Sequence, residues 1–242
     1  MSRTLVIGDI HGGLKALTQI FERAKITEQD TLIFLGDYVD GWSESPGVLD
    51  FLIALKNTHS CIFIRGNHDD LLYNWLTKGE DTPQWYIHGG EATVLAYQKL
   101  DDETKKIHID FLKNLGNYYL DDQNRLFVHG GFSSLNGVDF EYSPEVFYWD
   151  RTLWEMALAL DPTIPTDSVF YPKRFLLYKE IFIGHTPLTR INEVTPIQKS
   201  CIWNVDTGAA FKGRLTVMDI DTKQFWQSDN LNALYPNEKG RN

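Results

Sequence analysis

Residues 5–13 read Leu-Val-Ile-Gly-Asp-Ile-His-Gly-Gly, an apolar run of strand length that stops at a glycine and then offers a carboxylate and an imidazole. Four further stretches repeat this syntax: LIFLGDYVD at 32–40, IFIRGNHDD at 62–70, RLFVHGG at 125–131 and EIFIGHT at 180–186. Each apolar half has the length and the Val, Ile, Leu and Phe content of a strand buried on both faces. Each polar half puts Asp, Asn or His where the chain leaves its strand. In open α/β sheets ligands bind there, because the loops diverge at the strand ends and leave a crevice. The adjacent glycines let the backbone turn sharply enough for the neighbouring side chain to face that crevice.

Working outward, strands at 4–7, 31–35 and 60–64 alternate with amphipathic helices at 14–23 and 48–56, the pattern of an α/β domain. From Asp70 to about Leu115 the periodicity is helical, and Asp101-Asp102-Glu103 marks a helix start, where negative charge is favoured. A hairpin follows at 118–120 and 125–128, turned by Asp121-Asp122-Gln123-Asn124. Residues 139–172 mix aromatic side chains with four prolines and read as irregular loops around one helix, 152–160. Strands return at 180–183, 201–205, 215–220 and 224–227, and the last dozen residues are polar and expected to be loose.

The chain of 242 residues carries 33 acidic and 23 Lys or Arg side chains, for a net charge of −10. That balance excludes a generic nucleic-acid backbone binder, whose affinity comes from clustered Lys and Arg. A protein of this charge that binds phosphate must draw positive charge from elsewhere. Cys61 and Cys201 both lie in apolar runs, as small buried hydrophobes of a reducing compartment do. The apolar run at 5–7 is too short for a secretory core or a membrane span, so the expectation is a cytoplasmic protein without a membrane partner.

The strand ends nominate six metal ligands: Asp9, His11, Asp37, Asn67, His129 and His185. Carboxylate, imidazole and amide oxygen together favour an ion of borderline hardness, so Mn, Fe or Zn fit better than Ca. Six ligands exceed what one tetrahedral ion uses, whereas two ions sharing Asp37 would use all six and leave positions open for water and substrate. Any single Gly-Asp or Gly-His is an ordinary turn, but five in succession are not. His59 and His108 lie in helical or linker contexts and read as surface or core, and His88, before Gly89-Gly90, reads as a structural turn.

At these residues the sequence resembles the calcineurin-like metallophosphoesterases, in particular the bacterial and phage branch of the phosphoprotein phosphatases. GDIHGG, GDYVD, GNHD, HGG and GHT stand in that family's order and cover roughly residues 5–210. The resemblance implies an α/β sandwich of two mixed β-sheets flanked by helices, here one domain over residues 1–228 with a polar tail at 229–242. It also implies two divalent ions, Mn first and Fe or Zn as alternatives, that hydrolyse phosphate esters by direct attack of a bridging hydroxide. By position, Asp9, His11 and Asp37 would hold one ion and Asp37, Asn67, His129 and His185 the other. His68 would be the general acid and Asp40 its orienting carboxylate, suited to the role because imidazole titrates near neutral pH.

The match departs from the family after Asp40, where a phosphate-binding arginine is usual and Gly41-Trp42 stands instead. Arg151, in YWDRTLW, resembles an arginine of the bacterial members and could grip phosphate bidentately, with Arg65 as a substitute. WNVDTGA around Asp206 looks more like the diadenosine tetraphosphate hydrolases, where it supports the metal loops without being a ligand. The leading expectation is a serine/threonine protein phosphatase acting on phosphorylated protein or another small phosphoester. The alternatives are a symmetrical dinucleoside polyphosphate hydrolase, whose adenine could stack within the aromatic segment 140–171, and a non-catalytic scaffold.

Overall fold

Strand β1 (Thr4–Ile7) is the middle strand of a five-stranded sheet in the computed structural model, which describes residues 2–241. It pairs in parallel with β2 (Thr31–Phe34), and β2 with β3 (Ser60–Phe63). On its other side β9 (Thr216–Asp219) and β10 (Phe225–Gln227) add antiparallel strands. The second five-stranded sheet orders β4 (Tyr118–Leu120), β5 (Arg125–Val128), β6 (Glu180–Ile183), β8 (Ile202–Asn204) and β7 (Ile197–Lys199). Its β5, β6 and β8 run parallel and the two outer strands antiparallel. Both sheets are mixed, as expected.

Period-two alternation shows why the sheets stack. Val6 and Ile33 of the first sheet and Phe127 and Phe182 of the second share one buried cluster. The alternate residues Leu5, Ile7, Leu32 and Phe34 face outward beneath α1 (Leu14–Arg23) and α2 (Ser45–Leu55). Leu126, Val128, Ile181 and Ile183 do the same beneath α8 (Thr152–Ala159). The expected helical stretch divides into α3 (Asn67–Lys78), α4 (Pro83–Trp85), a π-turn at Tyr86–Gly90, α5 (Glu91–Tyr97) and α6 (Asp102–Lys113). Asp101 caps α6, its carboxylate accepting from Thr104 N at 2.8 Å. A one-turn helix α7 (Val146–Trp149) precedes α8.

β7 stands outside the strands read from the sequence, because three residues carry too little alternation to mark one. The final residues are not loose: they form the short helix α9 (Leu231–Leu234) and a docked segment beyond it. Leu231 and Tyr235, four residues apart on one face, are buried, and Tyr235 stacks on Trp42 with ring centroids 5.1 Å apart. Polar composition hid that apolar pair.

Candidate active site

Because β1, β2 and β3 are parallel, as are β5, β6 and β8, their carboxyl ends deliver Asp9, Asp37, Asn67, His129, His185 and Asp206 to one edge of the sandwich. All six are buried. His11, Asp37, Asp40 and His185 adopt left-handed backbone, with φ of 52°, 52°, 73° and 65°. Non-glycine residues avoid that region, and four such residues at one site mark strain held for function. Gly36 and Gly66 allow the second and third loops to touch: a Cβ on Gly66 would stand 2.1 Å from Asp37 N, and one on Gly36 2.5 Å from Gly66 N. Asp69 ties the same loops together, accepting from Gly66 N, Asp37 N and Tyr38 N at 2.9, 2.9 and 2.8 Å.

Asp37 stands at the centre. Its Oδ2 lies 3.5 Å from His11 Nε2 and 3.4 Å from His129 Nε2. The ligating atoms of Asp37, His129 and His185 all fall within 4.8 Å of one another, as do those of His11, Asp37 and His68. Asn67 Oδ1 is 3.3 Å from His129 Nε2, and Asp9 adjoins the set that contains His11, its Oδ2 3.8 Å from His11 Nε2. Asp9 also accepts from His185 N at 3.0 Å.

The imidazoles are oriented as metal ligands are. His11 Nδ1–H donates to Val39 O at 3.2 Å and His129 Nδ1–H to Leu35 O at 2.8 Å, which leaves both Nε2 lone pairs turned toward Asp37. His185 Nε2 is buried and has no hydrogen-bond partner among the described residues. Burial holds the His11 and His185 pKa values well below the usual imidazole range, so both are neutral. Burial, then the charges of Asp206 and Asp37, push the Asp9 pKa well up. Asp206 rises to about 6, chiefly by burial and also by Asp37, while its Oδ1 accepts from Gly208 N at 2.9 Å. Crowded carboxylates and neutral imidazoles with unengaged lone pairs suit divalent cations, which relieve both.

Beside this cluster His68 Nδ1–H donates to Asp40 Oδ2 at 2.6 Å, and His68 N donates to Asp37 Oδ1 at 2.9 Å. Asp40 Oδ2 accepts a second hydrogen bond, from Trp85 Nε1 at 2.6 Å. That donor lies 45 residues away along the chain, and no sequence pattern marked it.

Over the cluster opens a cleft of about 860 Å³ whose walls include Arg151, Arg190, Arg241, Trp85, Trp149 and Phe211. Arg151 donates through Nη1 to His185 O at 2.9 Å and to Thr186 Oγ1 at 3.0 Å. Burial, and after it the charge of Arg190, lower the Arg151 pKa from its usual value. Among the described residues no carboxylate lies within ion-pair reach of any of the three arginines.

Arg65 is not in the cleft. Its Nη2 donates to Leu112 O at 2.8 Å at the end of α6, and its Nη1 lies 3.4 Å from Asp70. It satisfies helix-end carbonyls, and its assignment to substrate binding is withdrawn. His88, read as a turn residue, lines the cleft. His108 is a core residue between Asp50 and Tyr97, and His59 packs on Phe21. Arg190, in a single 3-10 turn after the GHT motif, and Arg241, in the irregular C-terminal segment, belong to none of the motifs, so the sequence did not single them out. No helix among the described residues is long and apolar enough to cross a membrane.

The model of the calcineurin-like phosphoesterase family matches residues 2–205. A protein of Anoxybacillus flavithermus named bis(5'-nucleosyl)-tetraphosphatase PrpE [asymmetrical] is 28% identical over 229 residues, 88% of each chain. The protein of the same name from Bacillus subtilis is 25% identical, covering 87% of this chain and 88% of its own. Among solved structures, a provisionally named diadenosine tetraphosphatase superposes with a TM-score of 0.64 at 21% identity, covering 94% and 93% of the two chains. A serine/threonine phosphatase of Saccharomyces cerevisiae gives 0.59 at 15% identity, covering 94% of this chain and 80% of its own. At these identities the superpositions establish the shared fold.

Proposed function

The chain belongs to the calcineurin-like phosphoesterase family, and from that membership we propose that it is a metal-dependent hydrolase of dinucleoside polyphosphates. Phosphoester hydrolysis is the family's chemistry. The substrate class rests on one observation, the three arginines without carboxylate partners that share a cleft with three aromatic rings. A polyphosphate chain offers several charges in a row for guanidinium groups to grip, and the bases at its ends are planar surfaces for aromatic stacking. A phosphorylated serine or threonine offers a single phosphate and would leave arginines unused. No run of basic residues in the sequence marks a clamp for a polyphosphate, and Arg190 and Arg241, apart in sequence but together in the cleft, would supply one.

Asp9, His11 and Asp37 would hold one divalent ion and Asp37, Asn67, His129 and His185 a second, with manganese the first to test. Such ions, when bound, lower the pKa of water toward neutrality and offset charge on the phosphoryl oxygens. The chain's own residues do the rest. His68, oriented by its Nδ1–H donation to Asp40, would act as the general acid in its imidazolium form, giving up the Nε2 proton to the departing oxygen and returning to the neutral Nδ1–H imidazole. Arg151 holds a phosphate against the His185 loop to which it is itself hydrogen-bonded. Asp206 fixes the turn at Gly208.

Cleavage of a dinucleoside tetraphosphate at an outer linkage, as the relatives' name describes, yields a nucleoside triphosphate and a monophosphate. The test is product analysis by ion exchange after incubation of the manganese-loaded protein with diadenosine tetraphosphate and, separately, with a phosphoserine peptide. The expected result is ATP and AMP in equal amounts, with a higher kcat/KM than for the peptide. Two molecules of ADP would replace the outer cut with a symmetrical one. A kcat/KM favouring the peptide would overturn the substrate assignment.

A further inference from the structure

Arg241 reaches the cleft from the C-terminal segment, and we propose that this segment completes the substrate site, with the Arg241 guanidinium as a phosphate-binding group. The inference deepens the reading of the cleft given above and rests on its phosphoester chemistry.

The stem of Arg241 lies in a trough made by two glycines. A Cβ on Gly41 would stand 3.4 Å from Arg241 Cγ, and one on Gly89 2.9 Å from it. Both glycines have positive φ, 95° and 105°, and Gly41 N donates to Gly89 O at 3.0 Å. The loop after Asp40, which lacks an arginine of its own, is therefore shaped to receive one from a distant part of the chain. The charged end stands 5.4 Å from the Phe211 ring centroid, in cation–π range. Arg241 Nε is buried with no hydrogen-bond partner among the described residues. A buried N–H of a charged group left without an acceptor is costly. A guanidinium fixed by stacking, with its side-chain donors unspent and no carboxylate in reach among the described residues, is a receptor for an anion arriving in the cleft.

The segment is built to hold that position. Arg241 N donates to Ala210 O at 2.8 Å, and Gly240 turns the chain with φ of 67°. Ser43 donates to Glu238 through its backbone N at 2.9 Å and its hydroxyl at 2.8 Å. Tyr235 stacks on Trp42, whose Nε1 in turn donates to Ala209 O at 2.8 Å. Trp42, immediately after Gly41, is thus the anchor on which the segment rests.

The experiment uses the full-length, metal-loaded protein. Calorimetry measures binding of inorganic phosphate, and steady-state kinetics give kcat and KM for p-nitrophenyl phosphate. Arg241→Ala is expected to weaken phosphate binding by about 10- to 100-fold, the worth of one charge-assisted hydrogen bond, and to raise KM with it while kcat changes far less. Arg241→Lys should recover part of the affinity, because charge returns without the fork. Tyr235→Ala, which leaves Arg241 in place chemically and removes its anchor, should weaken phosphate in the same direction with the metals still bound. Unchanged phosphate affinity in Arg241→Ala would overturn the assignment, and unchanged affinity in Tyr235→Ala would overturn the role of the segment. Loss of diadenosine tetraphosphate hydrolysis as a property of the wild type, with phosphate affinity still dependent on Arg241, would remove the substrate reading and support this one.

Discussion

His68 Nδ1 lies 2.6 Å from Asp40 Oδ2, and both side chains are buried. The carboxylate can only accept, so the proton sits on Nδ1 and the imidazole presents Nε2 beside the Asp37 cluster. An acid placed there matters only as far as the leaving group needs a proton. His68→Asn is therefore expected to cut kcat for an alkyl phosphomonoester by about 10²- to 10⁴-fold and for p-nitrophenyl phosphate by much less. Metal content is measured in parallel, since His68 falls within the same 4.8 Å set as His11 and Asp37. Equal losses on both substrates, with metals retained, would make His68 a phosphate contact instead.

Trp85→Phe keeps a six-membered aromatic ring and removes the Nε1 donor to Asp40 with the five-membered ring that carries it. Asp40 Oδ1 already lacks a partner among the described residues, so the buried carboxylate would depend on His68 alone at the side chain. A hydrogen bond to a charged group contributes about 1.5–3 kcal/mol, and denaturant unfolding of the metal-loaded variant should show a loss of that order. The substrate dependence described for His68 should appear in weaker form. Wild-type stability would mean that another group serves Asp40.

Far from the cleft, Asp30 receives Arg3 Nε and Nη2 at 3.0 and 2.7 Å and Thr27 N at 2.9 Å. The Arg3 hydrogen bonds lead the causes that lower its pKa to about 2. The folded state therefore binds the proton less readily than the unfolded chain, whose carboxyl titrates near pH 4. The stabilisation is complete above that value and is lost as pH falls toward 2. Asp30→Asn should lower stability at pH 7 and flatten its decline between about pH 4 and 2, with kcat unchanged. An acid limb identical to wild type would dismiss the pair as a source of stability.

The motif residues were legible because each lies within six positions of a strand end, where local sequence dictates both the turn and its ligand. Longer-range placements were not. Arg65 stands beside Asn67 in sequence, yet the turn at Gly66 into α3 separates their directions, and unmet carbonyls of α6 claim the guanidinium. Arg241 is 200 residues from the Gly41 trough it fills, and nothing in either segment alone announces the other. His88 precedes a Gly-Gly pair that reads as a turn, but the direction of that turn depends on packing around Gly89, which approaches Gly41 N. The alternating faces of the strands were readable residue by residue, whereas the three-residue strand β7 took its place from its hairpin with β8.

Among the described residues only the Asp37 carboxylate belongs to both clusters of ligating atoms, the place of a bridge between two metal sites. Metal analysis by mass spectrometry of wild type and Asp37→Asn, after equilibration with manganese and gel filtration, tests it most directly. About two ions per chain are expected in the wild type and fewer than one in the variant, because the neutral amide weakens both sites at once. A wild type that retains no ions, or an Asp37→Asn protein that retains two, would contradict it.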